Sequence, residues 1–177
     1  MRSTFLTLFS LICFSGFGQV DAFQQDIIDY LKVNGTQAQY SEAYDEMFTV
    51  LKKNFETANV PENVWQDLRT NKSESLDDVI EFLTFAYRKH FTQDDIHKME
   101  AFYRTEAAQK MIRNTGDLSE KEHKAISAYY ESDVAKKVDS KKVELANDIS
   151  EISSHWSRDL FSAKMSALIK MGYVPHQ

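Results

Sequence analysis

From Leu145 to Met171 an apolar residue returns every three or four positions: Leu145, Ile149, Ile152, Trp156, Leu160, Ala163, Ala167 and Met171. That recurrence follows the 3.6-residue helical turn. A strand cannot carry it, because successive strand residues face opposite sides. The stripe runs for roughly seven turns, and Gly172 and Pro175 stop it. A helix of that length must lay its apolar stripe along other elements. The remainder of the chain supplies helices and no alternating strand run. Only two Pro and five Gly occur in 177 residues, too few for a turn-rich β-sandwich. The sequence therefore predicts an all-α, single-domain helical bundle of about seven helices with a long C-terminal helix. Apolar content of 42% and charged content of 27% suit one soluble core.

The shorter helices have their own signals. Ile27, Ile28 and Leu31 share a face that Gly35 ends. Thr36 is placed to cap the next segment, where Tyr40, Ala43, Tyr44, Met47, Val50, Leu51 and Phe55 form a stripe. Pro61 suits a first helical position ahead of Val64, Trp65 and Leu68. Ser75 with Asp78 reads as a capping pair before Leu76, Val79, Ile80, Leu83, Phe85 and Tyr87.

Two segments resemble each other without a gap, 91–111 (FTQDDIHKMEAFYRTEAAQKM) and 118–138 (LSEKEHKAISAYYESDVAKKV). Ala101/Ala128, Tyr103/Tyr130, Ala108/Ala135 and Lys110/Lys137 are identical, and pairs such as Phe102/Tyr129 and Thr105/Ser132 are chemically close. Duplication and the common look of amphipathic helices are both open explanations. Thr92 and Ser119 are expected N-caps, each with an acid three residues on, Asp95 and Glu122. Phe91 and Ile96 are spaced as a hydrophobic staple; in the second copy His123 makes a poorer partner, and Gly116 separates the copies. In the middle of each copy a hydroxyl precedes an acid, Thr105-Glu106 and Ser132-Asp133, which a helix start prefers. A kink or short break is expected there; an unbroken helix with both pairs in water is the alternative.

The first 18 residues read as a secretory signal peptide. Arg2 precedes an apolar run from Phe5 to Phe17, and small residues suit cleavage after Gly18 or as late as Ala22. The run is too short for a stable transmembrane span, and no later stretch is apolar for long enough. Residues 19–177 would then form the helical domain, exported to the periplasm or secreted. Cys13, the one cysteine, would leave with the leader. That excludes disulfides, thiolate zinc sites and thiol catalysis from the mature chain. The net charge of −6 excludes a basic nucleic-acid footprint. The basic knot of Lys136, Lys137, Lys141 and Lys142, interrupted by Asp139, is the face a helix turns to water.

Little in the sequence points to catalysis. Glu120 and His123 have the Glu-x-x-His spacing of bundle metal sites, but such a site needs a second pair and further carboxylates. Asp94 and His97 come nearest, and both pairs sit in first turns, where acids serve the helix dipole. His97 with Glu100, or His155 with Asp159, could serve as acid–base pairs by spacing, yet read as surface neighbours. No serine elbow, phosphate loop or zinc helix is present. The sequence therefore predicts no catalytic residue, no bound metal and no cofactor. The most site-like cluster is Phe102, Tyr103, Arg104, Gln109 and Lys110, since an Arg beside aromatic rings can bind a carboxylate or stack. The packing alternative turns Tyr103 inward and pairs Arg104 with Glu100, four residues back.

The stretch from Lys89 to Met111 resembles a bacterial family known as domain of unknown function 2059. That family's signature is similar to Tyr87, Phe91-Thr92, an acidic helix start and Phe-Tyr-Arg-Ser-Pro-x-Gly-Gln-Lys. Phe102, Tyr103, Arg104, Gln109 and Lys110 match it; Thr105 stands for Ser, Glu106 for Pro and Ala108 for Gly. Losing the proline keeps the cap and removes the enforced break. The resemblance implies an exported all-α domain and no known activity. The expectation is a non-enzymatic module that binds another envelope or secreted protein, or supports the envelope. The alternative is a small-ligand binder with a pocket around Tyr103 and Arg104.

Overall fold

A computed structural model describes residues 21–176. The expected signal peptide, 1–18, lies outside them. The described residues form eight α-helices, Ala22–Val33 (α1), Thr36–Asn54 (α2), Glu62–Arg69 (α3), Lys72–His90 (α4), Gln93–Tyr103 (α5), Glu106–Arg113 (α6), Glu120–Tyr130 (α7) and Asp133–Lys170 (α8). A single 3-10 turn, Glu56–Ala58, joins α2 to α3, and no strand occurs among the described residues. The all-α bundle with a long C-terminal helix is what the stripe required. Its last helix starts well before Leu145, so the back half of the second repeat and the C-terminal stripe are one rod. At 38 residues α8 is about 57 Å long.

Two apolar clusters hold the bundle. One gathers Ile27, Tyr30 and Leu31 of α1, Ile80, Leu83 and Tyr87 of α4, and Ile96 and Met99 of α5, closed by Val134 and Leu145 of α8. The other gathers Tyr44, Phe48 and Leu51 of α2, Trp65 and Leu68 of α3, and Leu168. The helix α8 serves both, which is why its stripe is so long. Full burial of each large side chain contributes about 1.5–3 kcal/mol.

Antiparallel packing of α4 on α8 is fixed at three heights. At one end His90 and Lys89 meet Asp148, with His90 Nε2 at 2.6 Å and Lys89 Nζ at 2.9 Å. In the middle Trp156 Nε1–H donates to the Ser75 carbonyl at 3.1 Å and lies 3.2 Å from its hydroxyl. At the other end buried Lys164 donates to the Leu68 carbonyl at 2.7 Å and Asn71 Oδ1 at 2.5 Å. Burial pushes the Lys164 ammonium below its ordinary pKa.

Several local expectations are corrected. The first residue of α2 is Thr36, and its own N–H is held by Asn34 Oδ1 at 3.0 Å. Gly35 takes the cap position with φ +93, open to glycine because it lacks a Cβ. Pro61 stands one residue earlier than expected, as the cap of α3. Ser75 is no cap: α4 has already begun at Lys72, and Ser75 is buried within it. Phe85, Val50 and Met171 point outward, Ala43 and Ala163 are exposed, and Phe48 and Leu168 fill the core positions instead.

Candidate functional site

The doubled segment folds as two like units. Helices α5 and α6 make the first; α7 and the start of α8 make the second. Thr92 and Ser119 are N-caps with full capping boxes, accepting from Asp95 and Glu122 N–H while those carboxylates reach back. Phe91 and Ile96 are both buried, as a staple requires. The break occurs in each copy, where Thr105 and Ser132 cap new helices by accepting from Ala108 N–H at 3.2 Å and Ala135 N–H at 3.3 Å. Thr-Glu therefore ends one helix and begins the next without the proline.

The units meet through reciprocal contacts. Phe102 stacks on its counterpart Tyr129, centroids 3.7 Å apart and planes 1° from parallel. Phe102 also meets Tyr130 at 6.3 Å, and Tyr103 meets Tyr129 at 6.1 Å, the same contact with the roles exchanged. Lys110 of the first unit pairs with Glu122 of the second at 2.7 Å; Lys137 of the second pairs with Asp95 of the first at 2.5 Å. Exchange of partners in this way is the signature of an approximate two-fold arrangement. The Lys110 ammonium and the Ser119 cap hold the Glu122 carboxyl at about 2. Burial opposes ionisation of Asp95, but Lys137 and Thr92 outweigh it and keep its pKa below the ordinary value.

This geometry occupies all five expected site residues. Phe102 is buried in the stack, and Tyr103 is half-buried against Tyr30, with centroids 5.8 Å apart. Arg104 Nε donates to Glu100 at 2.8 Å, the pairing four residues back, with its side chain 57% exposed. Gln109 turns inward and donates to the carbonyls of Val33 at 2.8 Å and Tyr103 at 2.5 Å. Lys110 bridges the units. The structure thus brings these residues together as packing and bridging groups.

The other candidates are dispersed. His97 Nε2 sits 2.7 Å from Asp26 rather than on Glu100. His155 Nδ1 meets Arg158 at 2.6 Å. His123 and Glu120 are exposed, and no group of three potential metal ligands gathers among the described residues. The basic knot is divided: Lys141 pairs with Glu144 at 2.8 Å and Lys142 with Asp139 at 2.7 Å on the surface, while Lys137 turns to Asp95 of the first unit. No described helix is long and apolar enough to cross a membrane.

A half-open groove of about 580 Å3 lies elsewhere, between α4 and α8. Its floor is Ile152, Trp156 and Leu160, with Phe82 as a wall that is 57% exposed. Glu74 and Asp78 edge it from α4, and Glu151, His155 and Asp159 from α8. Among the described residues Glu74, Asp78 and Glu151 form no ion pair, and Asp159 has Arg158 beside it at 3.5 Å. The floor is fixed by Trp156, which Ser75 holds from α4 and which Tyr40 meets edge-on at 5.3 Å. Sequence reasoning assigned Trp156 and Leu160 to the core stripe and missed the groove. The available signal was acids at multiples of four residues beside an apolar stripe on two separate helices, Glu74 and Asp78, and Glu151 and Asp159.

No curated protein and no solved structure matches the chain. The family described as "Uncharacterized protein conserved in bacteria (DUF2059)" matches residues 77–122. That span runs from within α4 through α5 and α6 into α7 and contains the whole first unit. The resemblance read from Phe102 to Lys110 therefore holds, and over residues 77–122 this chain is similar to that bacterial family, described as uncharacterised.

Proposed function

We propose that this protein is an exported, non-enzymatic helical module that binds another envelope or secreted protein. The observation that carries the reading is the α4–α8 groove: an apolar floor and an exposed Phe82, framed by charge and fixed at both ends. Exposed aromatic surface in a concavity costs solvation free energy that a partner recovers, and such surface marks interaction sites. The leader-like residues 1–18 support export. The doubled segment packs on the N-terminal part of α8 through α5 and α7, while α4 is held by α8 itself and by α1.

The test is a groove-dependent capture. A photoreactive phenylalanine analogue at Phe82 should crosslink a defined partner in the native envelope or secreted fraction. The same probe at exposed Val143, half a turn round and away from the groove floor, should not. A matching adduct pattern from both positions, or none from Phe82, would refute the reading.

A further inference from the structure

We infer that the α4–α8 groove takes a basic amphipathic helix of a partner protein, about three turns long; this rests on the binding reading above. The lips carry four carboxylates spaced by whole helical steps, with His155 between the two on α8. Glu74 and Asp78 are four residues apart on α4, and Glu151, His155 and Asp159 follow at four-residue steps on α8. Each step is about one turn, or 6 Å. A partner helix with Lys or Arg at i and i+4 meets Glu74 and Asp78 turn for turn, and a further cation on its other flank meets Glu151. No Lys or Arg lines the groove itself, and among the described residues Glu74, Asp78 and Glu151 form no ion pair. Arg158 reaches the lip from the face that α8 shares with Met47 and Val50 of α2, meeting His155 at 2.6 Å and Asp159 at 3.5 Å, so Glu74, Asp78 and Glu151 are the carboxylates left for a partner.

The floor sets the length and the shape. From Ile152 to Ala163 it follows α8 for about 16 Å, enough for three turns of an occupant. Both walls are helices whose backbone groups are already paired, so no sheet edge is open for an added strand. A ridge of side chains entering the trough between two helices is the contact left. Phe82 and Trp156 supply the aromatic surface that such an anchor buries, and Trp156 is held in advance by Ser75, which lowers the ordering cost.

The experiment uses the chain without residues 1–18 and a fluorescein-labelled Leu/Lys amphipathic helix of about 18 residues, read by anisotropy. Saturable binding is expected, weakening as salt rises. Replacing the lip with Glu74→Gln, Asp78→Asn, Glu151→Gln and Asp159→Asn together should weaken it at least about tenfold. Neutralising exposed acids elsewhere, Glu42→Gln, Glu46→Gln, Asp117→Asn and Glu131→Gln, should change it less than about twofold. Equal binding by the lip variant, or by a Leu/Glu helix, would overturn the assignment. A Phe82-dependent dimer in sedimentation would also overturn it, by making a second copy the occupant. The two readings fail separately. Phe82-dependent partner capture that survives lip neutralisation removes the basic helix and keeps the module. Lip-dependent peptide binding without partner capture at Phe82 removes the module and keeps the groove chemistry.

Discussion

Phe102→Ala separates architecture from chemistry in the doubled segment. Phe102 retains 9% of its surface and stacks on Tyr129 at 3.7 Å. Truncating a buried Phe costs about 3–5 kcal/mol, and a site at the bundle edge, free to relax, belongs near about 3. Part of that is the ring–ring interaction, about 1 kcal/mol, which a double-mutant cycle with Tyr129→Ala isolates. With a urea slope of about 2 kcal/mol per molar, the midpoint should fall by about 1.5 M. Arg104→Ala is the comparison. Its exposed pair with Glu100 is worth about 0.3–0.5 kcal/mol, a shift of only about 0.2 M. Urea unfolding followed by far-ultraviolet circular dichroism reads both. The reasoning fails if Phe102→Ala melts within about 0.3 M of the parent, or if Arg104→Ala is the more damaging change.

Three other outcomes follow from the same contacts. Trp156→Phe removes the donor to Ser75 and leaves the buried Ser75 hydroxyl without it; a loss of about 1–2 kcal/mol in urea unfolding is expected, and none would deny the anchor. Glu122 is more acidic folded than its ordinary 4.5, at about 2, so its stabilisation is present above 4.5 and is lost as pH falls toward 2. Thermal scans across that range should show the parent losing more stability than Glu122→Gln; parallel losses would reject the bridge. Asp21 caps α1, accepting from Gln24 N–H at 2.9 Å, and pairs with Arg88. Cleavage after Ala22 would discard both contacts, so N-terminal sequencing of exported protein should find Gln19 first; a start at Phe23 would contradict this.

What could be read from the sequence was local. The capping boxes at Thr92 and Ser119 and the breaks at Thr105 and Ser132 rest on side chains bonding backbone three residues away, so spacing reveals them. Arg104 with Glu100 was legible for the same reason. Ser75 misled because a hydroxyl with an acid three residues on resembles a cap, whereas its true partner, Trp156, is 81 residues distant. Apolar spacing located the stripes but not their edges. Phe85 is two residues from Leu83 and from Tyr87, on the opposite face of a 3.6-residue turn, so the helical period itself turns it to water and its place in the stripe was a misreading. The groove was hidden for a different reason: neither lip means anything until α4 and α8 are set side by side in opposite directions. The reciprocity of Lys110 with Glu122 and Lys137 with Asp95 likewise needed coordinates.

The most direct measurement is an amide chemical-shift map of the chain titrated with the Leu/Lys helix. Perturbations should cluster on Asn71–Phe82 and Glu151–Ala163, the two walls of the groove. Perturbations centred on Phe102–Lys110 instead would return the binding role to the doubled segment and contradict this account.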